Sequence, residues 1–286
     1  FLYIKDNNKD YYSKYNLNIE FKNKPNIFLF SFDGLAPNKI LKDSYGIDLK
    51  LNASKENLII LSNTFNENVY TKPALNTLFL LDPEIWRDKE NHNGPTGNKS
   101  YFSGVSSSPL YSILKNNGYK VGTGYVPGAW SLQGKYSDEY NLNKHGEKIF
   151  PMFCRWPLPY YYFNLFSFCK IYDLTVQKKN KDYKNFIYKE IKNIRDIEDK
   201  KFYLSAIESI KSKANSNEPW FFAQHIYRPG HTNSDYIHGD KNFSKFSKFY
   251  TRRTSEALDM INQVIKNISE SNSNSILIIF GDHGPL

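Results

Sequence analysis

Cysteine is almost missing from this 286-residue chain, which has only Cys154 and Cys169. One bridge closing the loop between them and two free thiols fit equally well, and a disulfide-dense scaffold is excluded. Long apolar runs are missing too. No segment approaches the roughly 18 consecutive apolar residues that a membrane-spanning helix needs, and no signal-peptide pattern is present. Acidic excess is absent: 38 Lys and Arg stand against 29 Asp and Glu, a formal net charge of +9. Such a balance favours acidic partners, namely phosphate or sulfate esters, an anionic surface or nucleic acid. Lysine and asparagine are nevertheless spread along the whole chain, which marks a compositional habit rather than a patch. Zinc-finger, RNA-recognition and basic-helix patterns are all lacking, so no nucleic-acid partner is expected. No internal repeat stands out.

What is present is enough apolar material, 40% of residues, for one large core. The chain opens on Phe1, and Leu286 follows His283 by three positions. It therefore reads as a piece of a longer protein, C-terminally truncated. Residues 1–24 are polar, rich in Tyr and Lys and without period, as in a linker or lead-in.

Two apolar runs carry the chemistry. Asn26-Ile-Phe-Leu-Phe-Ser-Phe-Asp33-Gly34 and Ser275-Ile-Leu-Ile-Ile-Phe-Gly-Asp282-His283-Gly284 each read as a fully buried strand ending in a hard oxygen ligand. In an open parallel α/β sheet, sites are built at the carboxyl ends of the strands. If both strands share one sheet, Asp33, Asp282 and His283 converge there. Two carboxylates and an imidazole suit a divalent cation of the zinc or manganese type. An Asp-Gly turn and a Gly-flanked turn are the plainer readings of the same residues.

Between these runs, strands are expected at 58–62, 119–125 and 219–227. Helices are expected from Thr71 to Leu81, over 109–117 closed by Gly118, and at about 181–194, 201–213 and 247–269. Pro73 falls in the first helical turn, where its missing N–H is harmless. Residues 88–107 and 228–245 read as polar loops, and 126–175 are the least legible stretch. The alternation of strands and helices predicts an α/β sandwich with a largely parallel sheet.

Four stretches, in order and over nearly the whole chain, resemble the sulfatase-like branch of the alkaline phosphatase superfamily, which includes sulfatases and the phosphoglycerol and phosphoethanolamine transferases of bacterial envelopes. Pro25 to Asp33 resembles the opening strand with its metal aspartate. Thr71-Lys-Pro-Ala-Leu-Asn-Thr-Leu-Phe79 resembles the nucleophile helix, with Thr71 where sulfatases carry the cysteine that matures to formylglycine. Leu114-Lys-Asn-Asn-Gly-Tyr119 resembles the turn before the third strand. Pro219-Trp-Phe-Phe through Pro229-Gly-His231, then Asp282-His283-Gly284, resemble the histidine loop and the metal Asp-His-Gly.

The resemblance implies a three-layer α/β sandwich of alkaline phosphatase type, helices on both faces, with residues 25–286 as an incomplete catalytic domain. It also implies a single divalent cation (Mn, Zn, Mg or Ca) held by Asp33, Thr71, Asp282 and His283, with Thr71 and His231 catalytic. The implied substrate is an anionic ester, on a lipid headgroup or a glycan. The implied location is extracytoplasmic, periplasmic or cell-surface, with a membrane tether outside this segment. Departures narrow the match. Gly34 stands where many sulfatases have a second metal aspartate. Gly124-Tyr125-Val-Pro-Gly replaces their Gly-Lys-Trp-His, and Tyr227 stands where two-metal phosphodiesterases have an aspartate.

Chemically, a coordinated cation would lower the pKa of the Thr71 hydroxyl, and the helix opening behind it would cradle a phosphoryl group. A helix cap is the plainer role for Thr71. His231 would contact anionic oxygens or protonate the leaving group. His225, on the preceding strand, reads as a satisfied core or edge histidine, and His92, His145 and His238 as ordinary loop residues. Arg252-Arg253 reads as a solvated helix surface or a phosphate clamp. The aromatic run from Tyr160 to Phe168 reads as core, as a lid, or as a membrane-facing surface whose rings favour the headgroup region. The expected activity is phosphate-ester transfer or hydrolysis through a phospho-threonine. The rivals are a sulfuric ester hydrolase and a non-catalytic relative that binds anionic glycans.

Overall fold

The computed structural model describes residues 18–54, 57–61, 71–81, 108–125, 138–142, 202–230, 243–271 and 274–284. His231, both cysteines, the aromatic run at 160–168 and the helix expected at 181–194 lie outside them. The chain divides into two compact units, Phe1–Asn141 with Ser205–Leu286, and Leu142–Leu204. Asp33, Thr71, Asp282 and His283 all belong to the first.

The centre of that first unit is a sheet built from β1 (Asn26–Phe32), β2 (Lys120–Tyr125), β3 (Glu139–Leu142), β4 (Trp220–Ile226) and β5 (Ser275–Gly281). The spatial order is β3-β2-β4-β1-β5. Strands β2, β4, β1 and β5 run parallel, with Ile27 opposite both Phe221 and Ile276. The helices are α1 (Asn38–Tyr45), α2 (Thr71–Leu80), α3 (Pro109–Asn116), α4 over 202–214 and α5 (Phe243–Ser269).

Side chains alternate across a strand, so odd and even residues of β1 serve opposite faces. Leu29 packs with Val121, Phe221 and Ala223 beneath Leu75 and Phe79 of α2 and Tyr111 and Leu114 of α3. Phe28, Phe30 and Phe32 face the other way, each at most 2% exposed. On that second face Lys213 of α4 lies over the ring of Phe222, 4.9 Å from its centroid. Helices thus cover both faces of a parallel sheet, giving the expected three-layer α/β architecture. Each phenylalanine buried this way contributes about 1.5–3 kcal/mol.

Asn26 ties the strand starts together. Its Nδ2 donates to Lys213 O at 3.3 Å, its Oδ1 accepts from Trp220 N at 2.8 Å, and its own N donates to Asn274 O at 2.9 Å. At 27 residues, α5 is long, but its buried positions Tyr250, Thr254, Ala257, Leu258, Ile261 and Val264 make a stripe at helical spacing. No helix among the described residues is long and apolar enough to cross a membrane.

Two expectations require correction. Residues 58–61 form no strand; they run irregularly, with Ile59 85% and Leu61 74% exposed. A short apolar run becomes a strand only where a sheet receives its backbone hydrogen bonds, and this one lies outside the five-stranded sheet of the described residues. Strand β5 is present but half-buried rather than fully buried, with Ile276 and Ile278 each more than 40% exposed. It is the outermost strand of the described sheet, next to β1 alone, so its flank lacks the neighbour that would complete burial.

Candidate metal centre

Strands β1 and β5 stop together, Phe32 opposite Gly281, and so deliver Asp33 and Asp282 side by side. The turn after β1 needs Gly34, whose φ is +71°, a conformation that side chains with a Cβ disfavour. Gly281 is required for a different reason. A Cβ there would lie 2.0 Å from Leu35 O, so the chain leaving β1 crosses directly over it.

Both turns are then tied to one carboxylate. Asp282 Oδ1 accepts from Gly34 N at 3.0 Å and from His283 N at 2.8 Å. The main chain adds Asp33 N to Ile226 O at 2.9 Å and Asp282 N to Phe32 O at 3.1 Å. Asp33, Asp282 and His283 are all buried, and ligand atoms from the three lie within 4.8 Å of one another.

His283 Nε2 sits 3.0 Å from Asp33 Oδ1 and 3.7 Å from Asp282 Oδ1. Its Nδ1 donates to Gly284 O at 2.6 Å, so in the neutral ring Nε2 keeps its lone pair for a partner. Burial pulls the His283 pKa down, but the hydrogen bond to Asp33, the charge of Asp282 and the Gly284 carbonyl outweigh it and raise the value above the ordinary 6.5. Thr71, at the first position of α2, brings Oγ1 to 3.4 Å from the same Nε2. Four of the five residues expected at the site therefore meet around one ring nitrogen. The fifth, His231, lies outside the described residues.

The donor set fits a divalent cation. Two carboxylates taken out of water beside a single imidazole are costly unless they are paired or coordinate a metal, and oxygen–oxygen–nitrogen ligation suits zinc or manganese.

Of three supporting side chains, only Arg253, with its reading as a phosphate clamp or solvated surface, carries any site signal in the sequence. His225, read as a core or edge residue, is 2% exposed and puts Nε2 4.0 Å from Asp282 Oδ2. Tyr250 donates to Gly34 O at 2.8 Å and accepts from Ala36 N at 3.0 Å. Arg253 is no solvated surface group: its Nη2 donates to Tyr227 O at 2.8 Å, its Nε donates to Pro229 O, and its guanidinium lies over Phe249 at 5.2 Å. These bonds fix the segment after β4, where Gly230 N donates to Asp33 O at 2.7 Å. Arg252 does face solvent, in an i,i+4 pair with Glu256. No spacing rule connects α5 with the turn at Gly34, so only three-dimensional pairing reveals these contacts.

Comparison with curated proteins and with solved structures returns no match. A family model described as Sulfatase, by contrast, matches residues 25–286, from the residue before β1 through the Asp-His-Gly after β5. With so much of its length matched, and a parallel sheet whose strand ends gather Asp33 and Asp282, the chain belongs to the sulfatase family.

Proposed function

We propose that the protein is a metal-dependent phosphate-ester transferase or hydrolase with Thr71 as nucleophile. The observation that carries this reading is the 3.4 Å approach of Thr71 Oγ1 to His283 Nε2, within the Asp33–Asp282–His283 cluster. A divalent cation held by those three residues and Thr71 would supply positive charge that acidifies a hydroxyl and neutralises ester oxygens. Thr71 stands at the positive end of α2, where first-turn N–H groups receive anionic oxygens.

In the reaction, Thr71 Oγ1 forms a bond to phosphorus as its proton passes to solvent. The bond from phosphorus to the leaving alkoxide breaks, and we assign to His231 the proton that the alkoxide takes up. Water or an alcohol then attacks the phospho-threonine, breaking the Oγ1–P bond, and Thr71 regains a proton. Phosphate is favoured over sulfate because threonine cannot mature to formylglycine and because Gly124-Tyr125 replaces a catalytic Lys-Trp-His segment. Envelope lipid headgroups or glycans, met outside the cytoplasm by a tethered enzyme, are the substrate class that the family resemblance supports.

The test is intact mass after incubation with manganese or zinc and an aryl phosphodiester. An adduct on Thr71, absent from Thr71→Ala, supports the reading. Turnover of aryl sulfates alone would replace it with sulfuric ester hydrolysis. A protein that binds anionic glycans without turning over either ester would be a binding relative.

A further inference from the structure

We propose that His225, held by Ser31, is the positioning residue for Asp282. This inference rests on the reading of Asp33, Asp282 and His283 as cation ligands. Ser31 and His225 are register partners on adjacent parallel strands, two residues before Asp33 on β1 and near the end of β4. Both are buried, at 3% and 2% exposure. Ser31 Oγ lies 2.9 Å from His225 Nδ1 and 3.5 Å from Gln224 O. Asp282 Oδ2, which His225 Nε2 faces at 4.0 Å, is a carboxylate oxygen that only accepts, so we place the ring hydrogen of His225 on Nε2, with Nδ1 accepting from Ser31.

The two oxygens of Asp282 thus have different neighbours. Oδ1 is fixed by the backbone N–H groups of Gly34 and His283, and Oδ2 is turned toward the imidazole. At 4.0 Å the contact is longer than a hydrogen bond. A ring N–H dipole in a buried, low-dielectric setting still orients a carboxylate strongly. The consequence falls on a ligand: the direction in which Asp282 offers its lone pairs to a cation is set by a residue that does not itself bind it. Simple packing would make the site indifferent to which atom occupies the Nε2 position.

The test compares His225→Ala, His225→Gln and Ser31→Ala with the wild-type chain. Zinc and manganese affinity is read by competition against a chromophoric chelator, beside denaturant stability. His225→Ala is expected to weaken binding about 10- to 100-fold. His225→Gln, whose amide N–H reaches the place of Nε2–H, is expected to recover most of that loss. Ser31→Ala shifts affinity in the same direction by less. In cobalt-loaded protein one paramagnetically shifted ring N–H is expected, from His283. A second one that disappears in His225→Ala would make His225 a ligand and overturn the positioning role. Folded His225→Ala and His225→Gln that bind within about twofold of wild type would overturn it as well. Should His225→Ala fail to fold, unchanged affinity in Ser31→Ala overturns it. A wild-type chain that binds neither cation sinks the ligand reading and this one together. One that binds them, indifferent to His225, sinks this one alone.

Discussion

Tyr250, in the first third of α5, clasps the backbone on both sides of Leu35, donating to Gly34 O and accepting from Ala36 N. One phenolic hydroxyl thereby holds the turn just after the first candidate metal ligand. Tyr250→Phe keeps the ring and leaves a buried carbonyl and a buried N–H without that partner. The expected cost is about 1–3 kcal/mol of stability, read as a lower denaturation midpoint with an unchanged denaturant slope. Metal affinity falls with it, because Gly34 N also donates to Asp282.

The same phenol is pushed up to about 12, chiefly by burial. A folded-state pKa raised above the unfolded value of 10 means its contribution to stability is whole below pH 10. That contribution is lost as pH rises through about 12. Spectrophotometric titration is expected to show one tyrosine ionising late, coincident with alkaline unfolding and absent from Tyr250→Phe.

His283 gives the opposite end of the pH scale its signature. Its pKa is raised above 6.5, so without metal the imidazolium paired with Asp33 stabilises the fold fully below pH 6.5. That stabilisation disappears as pH climbs through the folded-state value. Cation binding needs the Nε2 lone pair, so affinity tightens over the same rise. Thermal melts from about pH 5.5 to about 8.5 are expected to fall in chelator and to rise in zinc or manganese. Parallel slopes in both conditions would remove His283 from the ligand set.

Glycine substitutions separate two kinds of constraint. Gly34→Ala finds ordinary contacts, 3.6 Å to Gly230 O, and suffers only from its φ of +71°, about 1–2 kcal/mol. Gly281→Ala would place a methyl 2.0 Å from Leu35 O, which forces the main chain to move. Chemical denaturation is expected to rank Gly281→Ala as clearly the worse, and only that variant to lose cation binding.

Arg253→Ala removes the bonds to Tyr227 O and Pro229 O that shape the segment leading to His231. Turnover on an aryl phosphodiester is expected to drop by roughly 10- to 100-fold, as misplacing a group near the chemistry does, with cation affinity nearly unchanged. An equal loss in both would assign Arg253 to the fold rather than to substrate handling.

Much of the fold and half of the site are legible in the sequence alone. The strands ending in Asp33 and Asp282 stand out because apolar runs bounded by turn residues have few other meanings, and their pairing follows from parallel α/β topology. Thr71 is legible by likeness, whereas its distance from His283 is not. The run at 58–61 looks like a strand because hydrophobicity is read locally, but a strand exists only where a neighbour accepts its backbone. Helix α1 leaves no clear signal: it is only eight residues long and buries Leu41 alone. His225 reads as core because nothing in the string places it opposite Ser31 or across from Asp282. Side chains that support a site from another element leave no pattern along their own.

The bond between Gly34 and Asp282 spans 248 residues of chain. The two strands that carry the carboxylates are nearest neighbours in space, yet they emerge from the ribosome far apart in time. Strand β1 therefore waits, with one flank open, for a partner made last of all the described elements. Closing so long a loop is slow compared with forming α3 or α5 locally. The Asp33–Asp282–His283 cluster is assembled only by that closure, so a cation held there would stabilise the closed chain alone.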